Sequence, residues 1–369
     1  MVSVQLEGVS VQLDRSPILH DITTTLPDGA FGAVIGPSGS GKSTVLRVVA
    51  GLLEPSQGRV WFGSVDVTET APGMRDIGMV FQSPALFSNR NVRRNVSFPL
   101  ELRRETVESI RQRVDAETRA MHLEHLVLRH PDELSRGEQQ LVQIARTMVR
   151  APRVLLLDEP FAPLDAHLRQ QLRAEIKLLQ EGYGVTTLMA TNDPQDVAAL
   201  ASHVIVLGPA VVDDERAGLG SVGPHTVVQS GPPAAVADDP TSLDVAAAVG
   251  PLWTFDCTVA ADTDGFWLGP GGTRAIRAWS PSLSSHVGAR VVVGCRPGAL
   301  VVDERGVLPA TITRIVPGSS EPILCNVGGA SVYAGSGRRG VASLAVGRQV
   351  SLAIGAYFVF DRRTGRRLV

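Results

Sequence analysis

The chain has 369 residues, 44% hydrophobic and only 5% aromatic, with a net charge of −2. That length allows two or three domains with cores of their own, and the near-neutral balance argues against nucleic acid as a partner. Cys257, Cys295 and Cys325 are odd in number, widely spaced and confined to the last third, which excludes a disulfide framework or zinc pattern and leaves buried free thiols in a reducing compartment as the expectation.

The N-terminus has no basic run followed by an apolar one, so no leader is expected, and no stretch of about 18 apolar residues predicts a bilayer span. Residues 2–13 alternate as a strand does, and Asp28-Gly29 predicts a hairpin-type turn. Residues 31–35 form a short apolar run of strand type, and residues 44–53 read as a helix. Between them lies Gly36-Pro37-Ser38-Gly39-Ser40-Gly41-Lys42-Ser43-Thr44, which fits G-x-x-x-x-G-K-[ST]. Glycines there let backbone N–H groups turn onto phosphate oxygens, and the helix N-terminus adds partial positive charge. Lys42 would reach the β- and γ-phosphates and the Ser43 hydroxyl would hold Mg²⁺. A Gly-rich turn before an ordinary helix is the plainer alternative.

From about 90 to 150 the chain is helical and charge-rich. Residues 154–157 are a continuous apolar run, as in a strand buried on both faces of a parallel sheet, and Asp158-Glu159-Pro160 follows. An acid at the end of such a strand can hold Mg²⁺, and the next carboxylate can polarise the water that attacks a γ-phosphate. Residues 168–180 predict an amphipathic helix, 185–190 another buried strand, and 208–226 a surface loop. After about 240, short β-like runs at 255–260, 290–294, 310–316 and 349–354 alternate with Gly, Pro and Asp-Gly turns, predicting a small all-β domain.

Leu134-Ser135-Arg136-Gly137-Glu138-Gln139-Gln140 opens a further helix, on which Leu141, Ile144, Ala145 and Met148 recur at helical spacing. At this point the chain resembles the ATPase subunit of ABC transporters, whose signature reads Leu-Ser-Gly-Gly-Gln. In that family the signature of one subunit closes over the nucleotide in the P-loop of the other, and ATP joins two subunits head to tail. Gln82 looks like the glutamine that touches Mg²⁺ and senses the membrane partner, and Leu164-Asp165 like the turn that crosses the dimer interface. Further matches, Asp165-Ala166-His167-Leu168-Arg169, Gly294-Cys295-Arg296-Pro297 and Phe360-Asp361-Arg362-Arg363-Thr364-Gly365, resemble importers of the maltose/multiple-sugar type with a C-terminal TOBE/OB-like regulatory domain.

The resemblance implies an α/β P-loop NTPase: a RecA-like core, a helical subdomain at about 87–150 and an N-terminal antiparallel β-subdomain over residues 1–235, then a β-rich OB-like domain over 236–369. It implies ATP and Mg²⁺, with Glu159, Asn192 and Gln82 as catalytic residues, and Ser43, Gln82 and Asp158 around the metal. Partners would be integral membrane permeases, a second ATPase subunit and, indirectly, an extracytoplasmic solute-binding protein, with the chain peripheral on the cytoplasmic face of the membrane. Arg90, Arg93, Arg94, Arg103 and Arg104 would meet acidic residues of the permease, unless they simply form a solvated face. A regulatory subunit with little hydrolysis is the alternative. A soluble ABC ATPase acting on DNA or ribosomes is disfavoured, because neither a coiled coil nor a second ATPase domain is present.

Four positions depart from the family pattern. Asn192 stands where the family has histidine. It can donate an amide N–H to the same oxygen but cannot carry charge or relay a proton. Leu13 replaces an aromatic that stacks on adenine, keeping apolar contact without a π-face. Arg136 replaces the first signature glycine, and either reaches the partner's γ-phosphate or holds the interface open. Glu138 replaces glutamine, but Ser135-Arg136-Gly137-Glu138 spells a capping box, so a structural gain is favoured over the alternative, a catalytic loss.

Overall fold

The computed structural model describes residues 2–14, 16–162, 164–210, 223–263, 265–316, 319–337 and 344–369. They fall into two compact units, Met1–Asp238 and Asp239–Val369. No helix among the described residues is long and apolar enough to cross a membrane.

The first unit is organised by one ten-stranded sheet. Its strands are β1 (Val4–Leu13), β2 (Ser16–Leu26), β3 (Phe31–Ile35), β4 (Gln57–Phe62), β5 (Val65–Asp66), β6 (Ile77–Val80), β7 (Val154–Asp158), β8 (Thr186–Ala190), β9 (His203–Pro209) and β10 (His225–Gly231), in spatial order β5-β4-β1-β2-β10-β9-β3-β8-β7-β6. The sheet has two characters, and the sequence explains both. Strands β3, β7 and β8 are buried at every position, as their unbroken apolar runs require, and pair in parallel with one another or with β6 and β9. Strands β1, β2, β4 and β5 pair antiparallel, with β1 alternating between buried and partly exposed positions. The halves meet at β10, which pairs antiparallel with β9 and parallel with β2 through His225 and Leu19.

Helix α1 (Lys42–Ala50) follows β3. Between β6 and β7 come α2 (Val92–Leu102), α3 (Val107–Ala120) and α4 (Arg136–Met148). Asn91 and Thr106 cap α2 and α3 by accepting from Arg94 N at 3.0 Å and Ser109 N at 3.3 Å. Then follow α5 (Ala166–Tyr183), α6 (Pro194–Leu200) and α7 (Pro233–Asp238).

Three expectations are corrected. The helix expected over 44–53 begins at Lys42 and stops at Ala50, because Gly51 takes the left-handed conformation (φ 73°) and turns the chain. Asp28-Gly29 is a turn but not a hairpin, since β10 and β9 lie between β2 and β3. The loop expected over 208–226 is strand at both ends: β9 runs to Pro209 and β10 starts at His225, while residues 211–222 lie outside the described residues.

The second unit starts with α8 (Leu243–Ala248) and folds as two five-stranded antiparallel sheets. One comprises β11 (Trp253–Asp262), β12 (Gly265–Gly269), β13 (Ile276–Ala278), β14 (Arg290–Cys295) and β20 (Phe358–Asp361) in the order β13-β12-β11-β14-β20. The other comprises β15 (Leu300–Val302), β16 (Leu308–Ile315), β17 (Ile323–Val327), β18 (Ala330–Ala334) and β19 (Gln349–Ile354) in the order β15-β19-β16-β17-β18. One buried cluster draws on both sheets and contains all three cysteines. Burial pushes the Cys257 and Cys295 thiols up to about 12 and that of Cys325 to about 11, so none is a nucleophile at neutral pH. This all-β arrangement accords with an OB-like domain. Its two sequence motifs have structural work here. Arg296 donates to the carbonyls of Ala246 and Gly250 at 2.8 and 3.1 Å, closing the end of α8. Asp361 accepts from the Thr364 hydroxyl and N–H at 2.7 and 2.6 Å, which brings its carboxyl down to about 2.

Candidate active site

The turn between β3 and α1 carries Gly36, Gly39 and Gly41 at φ 155°, 81° and 88°. A Cβ on Gly36 would stand 2.6 Å from Leu207 O, and one on Gly41 2.6 Å from Leu19 Cδ2, so the loop is wedged onto β9 and β2. A Cβ on Gly39 would meet nothing within 4 Å; this glycine borders open space. Gly41 caps α1 without a side-chain hydrogen bond, leaving the first N–H groups of the helix with no side-chain acceptor. Lys42 folds its ammonium back onto Gly36 O at 3.1 Å and Pro37 O at 2.9 Å. Burial lowers its pKa, while Glu159 and then Asp158 oppose that shift. Ser40 is fully buried with an unpartnered hydroxyl oxygen, whereas Pro37 and Ser38 are exposed and Thr44 is half-buried. Unclaimed N–H groups, an orphaned hydroxyl and a lysine resting on its own loop fit an anionic polyphosphate.

The acids stand where β7 ends. Asp158 is buried and accepts from Ser43 Oγ at 2.8 Å. Among the described residues no group of three or more His, Cys, Asp or Glu gathers as a metal cage. A hydroxyl and a carboxylate beside a phosphate cradle are instead the hard oxygen donors that suit Mg²⁺, which keeps phosphate and water ligands. Glu159 leaves the strand at φ 45°, a left-handed conformation uncommon for glutamate, and its N–H donates to Ala190 O at 2.9 Å. Its carboxylate is held at both ends: Asn192 Nδ2 donates to Oε1 at 2.5 Å and Gln82 Nε2 to Oε2 at 3.2 Å. Gln82 thus contacts Glu159 here rather than the Ser43–Asp158 pair.

Asn192 sits in the turn from β8 to α6, and α5 braces that turn. Arg169 Nη1 donates to Asp193 Oδ2 at 2.8 Å, and Arg173 Nε to Asp196 Oδ1 at 2.7 Å. A cavity of about 350 Å³ opens beside Glu159, Asn192 and Arg169. Sequence reading singled out neither Arg173, Asp193 nor Asp196. The available signal was two arginines four residues apart on one helix and two aspartates three apart after Thr191. His225 was also missed. It is buried on β10, and burial, then the Lys42 charge, lowers its pKa.

The remaining candidates lie elsewhere. Ser135 caps α4: its Oγ accepts from Glu138 N at 3.3 Å while Glu138 Oε2 accepts from Ser135 N at 2.7 Å. Leu134 is buried, Arg136 is exposed, and a Cβ on Gly137 would stand 2.1 Å from Leu168 Cδ2. Close packing on α5 therefore requires that glycine, and α5 itself is capped by Asp165, which accepts from Leu168 N at 3.0 Å. Among the described residues no hydrogen bond or ion pair joins 134–138 to the P-loop or Glu159. Leu13 ends β1, paired with Ser16 and 40% exposed. Of the five arginines expected to face a partner, three already have carboxylate partners within the chain: Arg90 with Glu101 at 3.1 Å, Arg93 with Asp115 at 2.7 Å and Arg103 with Asp76 at 3.4 Å.

Residues 19–162 match the family described as ABC transporter. The sulfate/thiosulfate import ATP-binding protein CysA of Synechococcus elongatus is 38% identical over 251 residues, 68% of this chain and 69% of that protein. The sn-glycerol-3-phosphate import ATP-binding protein UgpC of Yersinia pseudotuberculosis is 37% identical over 300 residues, 80% of this chain and 79% of that protein. Among solved structures, cbiO1 of Clostridium perfringens, part of the ABC transporter complex cbiONQ, superimposes with a TM-score of 0.56 at 30% identity over 63% of this chain and 89% of that one. A dimeric ATP-binding cassette in a post-hydrolysis state with ADP and Pi gives 0.52 at 26% identity, covering 62% of this chain and 98% of that one.

Proposed function

This chain belongs to the ATP-binding subunits of ABC transporters, and from that premise we propose that it powers import of a small solute by closing and reopening around ATP. As a member it is an ATPase whose substrate is ATP with Mg²⁺. The observation that carries the proposal is the Glu159 carboxylate, gripped by Gln82 and Asn192 one residue beyond the Asp158–Ser43 pair.

The free N–H groups at the start of α1 and the Lys42 ammonium bind the phosphates. Ser43 and Asp158 hold Mg²⁺, which, when bound, supplies charge neutralisation on the phosphate oxygens. Glu159 accepts the proton of the attacking water, and the two amides fix the direction in which its oxygens point. The Ser135 hydroxyl accepts from Glu138 N but keeps its own proton free, so it can donate to the γ-phosphate held by a second copy. Asp165 would face that copy.

Asn192 sets the rate in this reading. A neutral amide in place of an imidazole loses on the order of 1–3 kcal/mol of transition-state stabilisation, roughly ten- to hundred-fold in turnover. N192H is expected to restore that factor in phosphate release; an unchanged rate removes Asn192 from the account. The same residue favours a second reading, a regulatory subunit with little hydrolysis of its own, which gains support if the unaltered chain closes on ATP but releases no phosphate.

The chain would sit on the cytoplasmic face of the membrane, held there by permease subunits, with a solute-binding protein acting from the far side. The permease and binding protein alone touch the solute. The matched relatives are named for sulfate or thiosulfate and for sn-glycerol-3-phosphate, and the C-terminal motifs favour a sugar-like cargo. The deciding experiment uses E159Q with ATP and Mg²⁺: a stable two-fold dimer trapping two nucleotides is expected by light scattering. A chain that stays monomeric, alone and with its permease, overturns the proposal.

A further inference from the structure

The brace behind Asn192 closes on itself. Asp165 caps helix α5, and Arg169 and Arg173 leave the same face of that helix one turn apart. Arg169 bridges two turns at once. Its Nη2 donates to Leu164 O at 3.3 Å, in the turn that leads into Asp165, and its Nη1 to Asp193 Oδ2 at 2.8 Å, in the turn that carries Asn192. Arg173 adds Nη2 to the same Asp193 oxygen at 3.2 Å and Nε to Asp196 Oδ1 at 2.7 Å. The second Asp196 oxygen accepts from Thr191 Oγ1 at 2.5 Å, and that hydroxyl oxygen accepts from Asp193 N at 3.0 Å. Asn192 is thus pinned from both flanks while its own amide reaches Glu159. Between Glu159 and Asp165, Ala162 N donates to Glu159 O at 3.2 Å and Leu164 N to Phe161 O at 3.1 Å.

The path runs from Glu159 to Asp165, along α5 to the two arginines, across to the 191–196 turn and back through Asn192 to Glu159. Residues around this circuit line the 350 Å³ cavity. The Arg173 and Asp196 side chains are only 13% and 4% exposed, so this part of the circuit is fixed by burial as well as charge.

We infer that Arg169 and Arg173 are positioning residues that couple the place of the Asp165 turn to the Asn192 amide and hence to the Glu159 carboxylate. The inference rests on reading Glu159 as the base and Asp165 as facing the second copy. Seating that copy would then aim the carboxylate, because a shift at Asp165 is passed through Arg169 to the turn bearing Asn192. Neither arginine touches ATP in this account.

The test uses the full-length chain with R169Q, N192A and their combination. R169Q is expected to lower kcat about tenfold while KM stays within about twofold, and the double variant to be no slower than N192A beyond about twofold, since Arg169 acts through Asn192. Effects that multiply, or an R169Q within about twofold of the unaltered chain, overturn the inference. A second readout needs no turnover: backbone deuterium exchange over 190–197 is expected to rise in both R169Q and D165A, with α1 unchanged. Unchanged exchange there in D165A overturns the inference, even where R169Q fails to fold or the unaltered chain releases no phosphate. Loss of phosphate release in the unaltered chain alone counts against the ATPase reading and leaves the circuit to be judged by exchange.

Discussion

Helices α1 and α4 both open on a motif of the site, yet their N-termini are built in opposite ways. The cap of α1 is Gly41, with no side-chain hydrogen bond, so its N–H groups wait for an external acceptor. At α4 the cap is Ser135, and a reciprocal box with Glu138 satisfies the end from within. Their glycines differ in the same sense: Gly39 looks onto open space, whereas Gly137 is pressed against Leu168. One end leaves its donors without a side-chain acceptor of its own. The other is self-sufficient and presents a surface.

Substitutions that add or remove a few atoms should separate the two ends. G39A should lower ATP affinity at least about tenfold, because a methyl group enters the cradle, with a folding cost of only about 1–2 kcal/mol from its φ of 81°. Fluorescent-nucleotide titration beside urea unfolding reads both quantities, and a loss of stability without a loss of affinity would erase the contrast. G137A should do the reverse, costing about 1–3 kcal/mol through overpacking on Leu168 while ATP affinity of the isolated chain is retained. S135A should cost about 1 kcal/mol by urea midpoint from the lost cap and also weaken ATP-driven dimer formation, since one hydroxyl serves both roles. The smallest change is expected from E138Q. It keeps the box, gives up about 0.3–1 kcal/mol of charge–dipole stabilisation, and should strengthen ATP-driven dimerisation a few-fold by removing a carboxylate from the face offered to the partner's phosphates. Weaker dimerisation in sedimentation would instead make that carboxylate part of the interface.

The same contrast marks what could be read along the chain. The glycine-rich turn, the acidic end of β7 and the capping box were legible because each is a local pattern, in which spacing alone sets the geometry. The Asn192–Glu159 contact was not, because its partners are 33 residues apart and meet only where β7 and β8 end side by side. Nor were the partners of Arg90, Arg93 and Arg103, which come from other turns or other helices. The ends of the 208–226 stretch were misread for a related reason. Pro209 and His225 carry loop-like neighbours in sequence, and pairing between β9 and β10 overrides that local preference.

By itself the sequence determined that a glycine-rich strand–turn–helix, an acidic strand end and a capped helix occur in one chain, because dihedral preference, hydrophobic period and side-chain capping act over a few residues. Tertiary structure alone decided that both Glu159 oxygens are gripped by amides and that Arg169 ties the Asp165 turn to the Asn192 turn. Those contacts exist only once buried parallel strands fix the ends of distant segments side by side, and no short-range pattern encodes a distance of that kind.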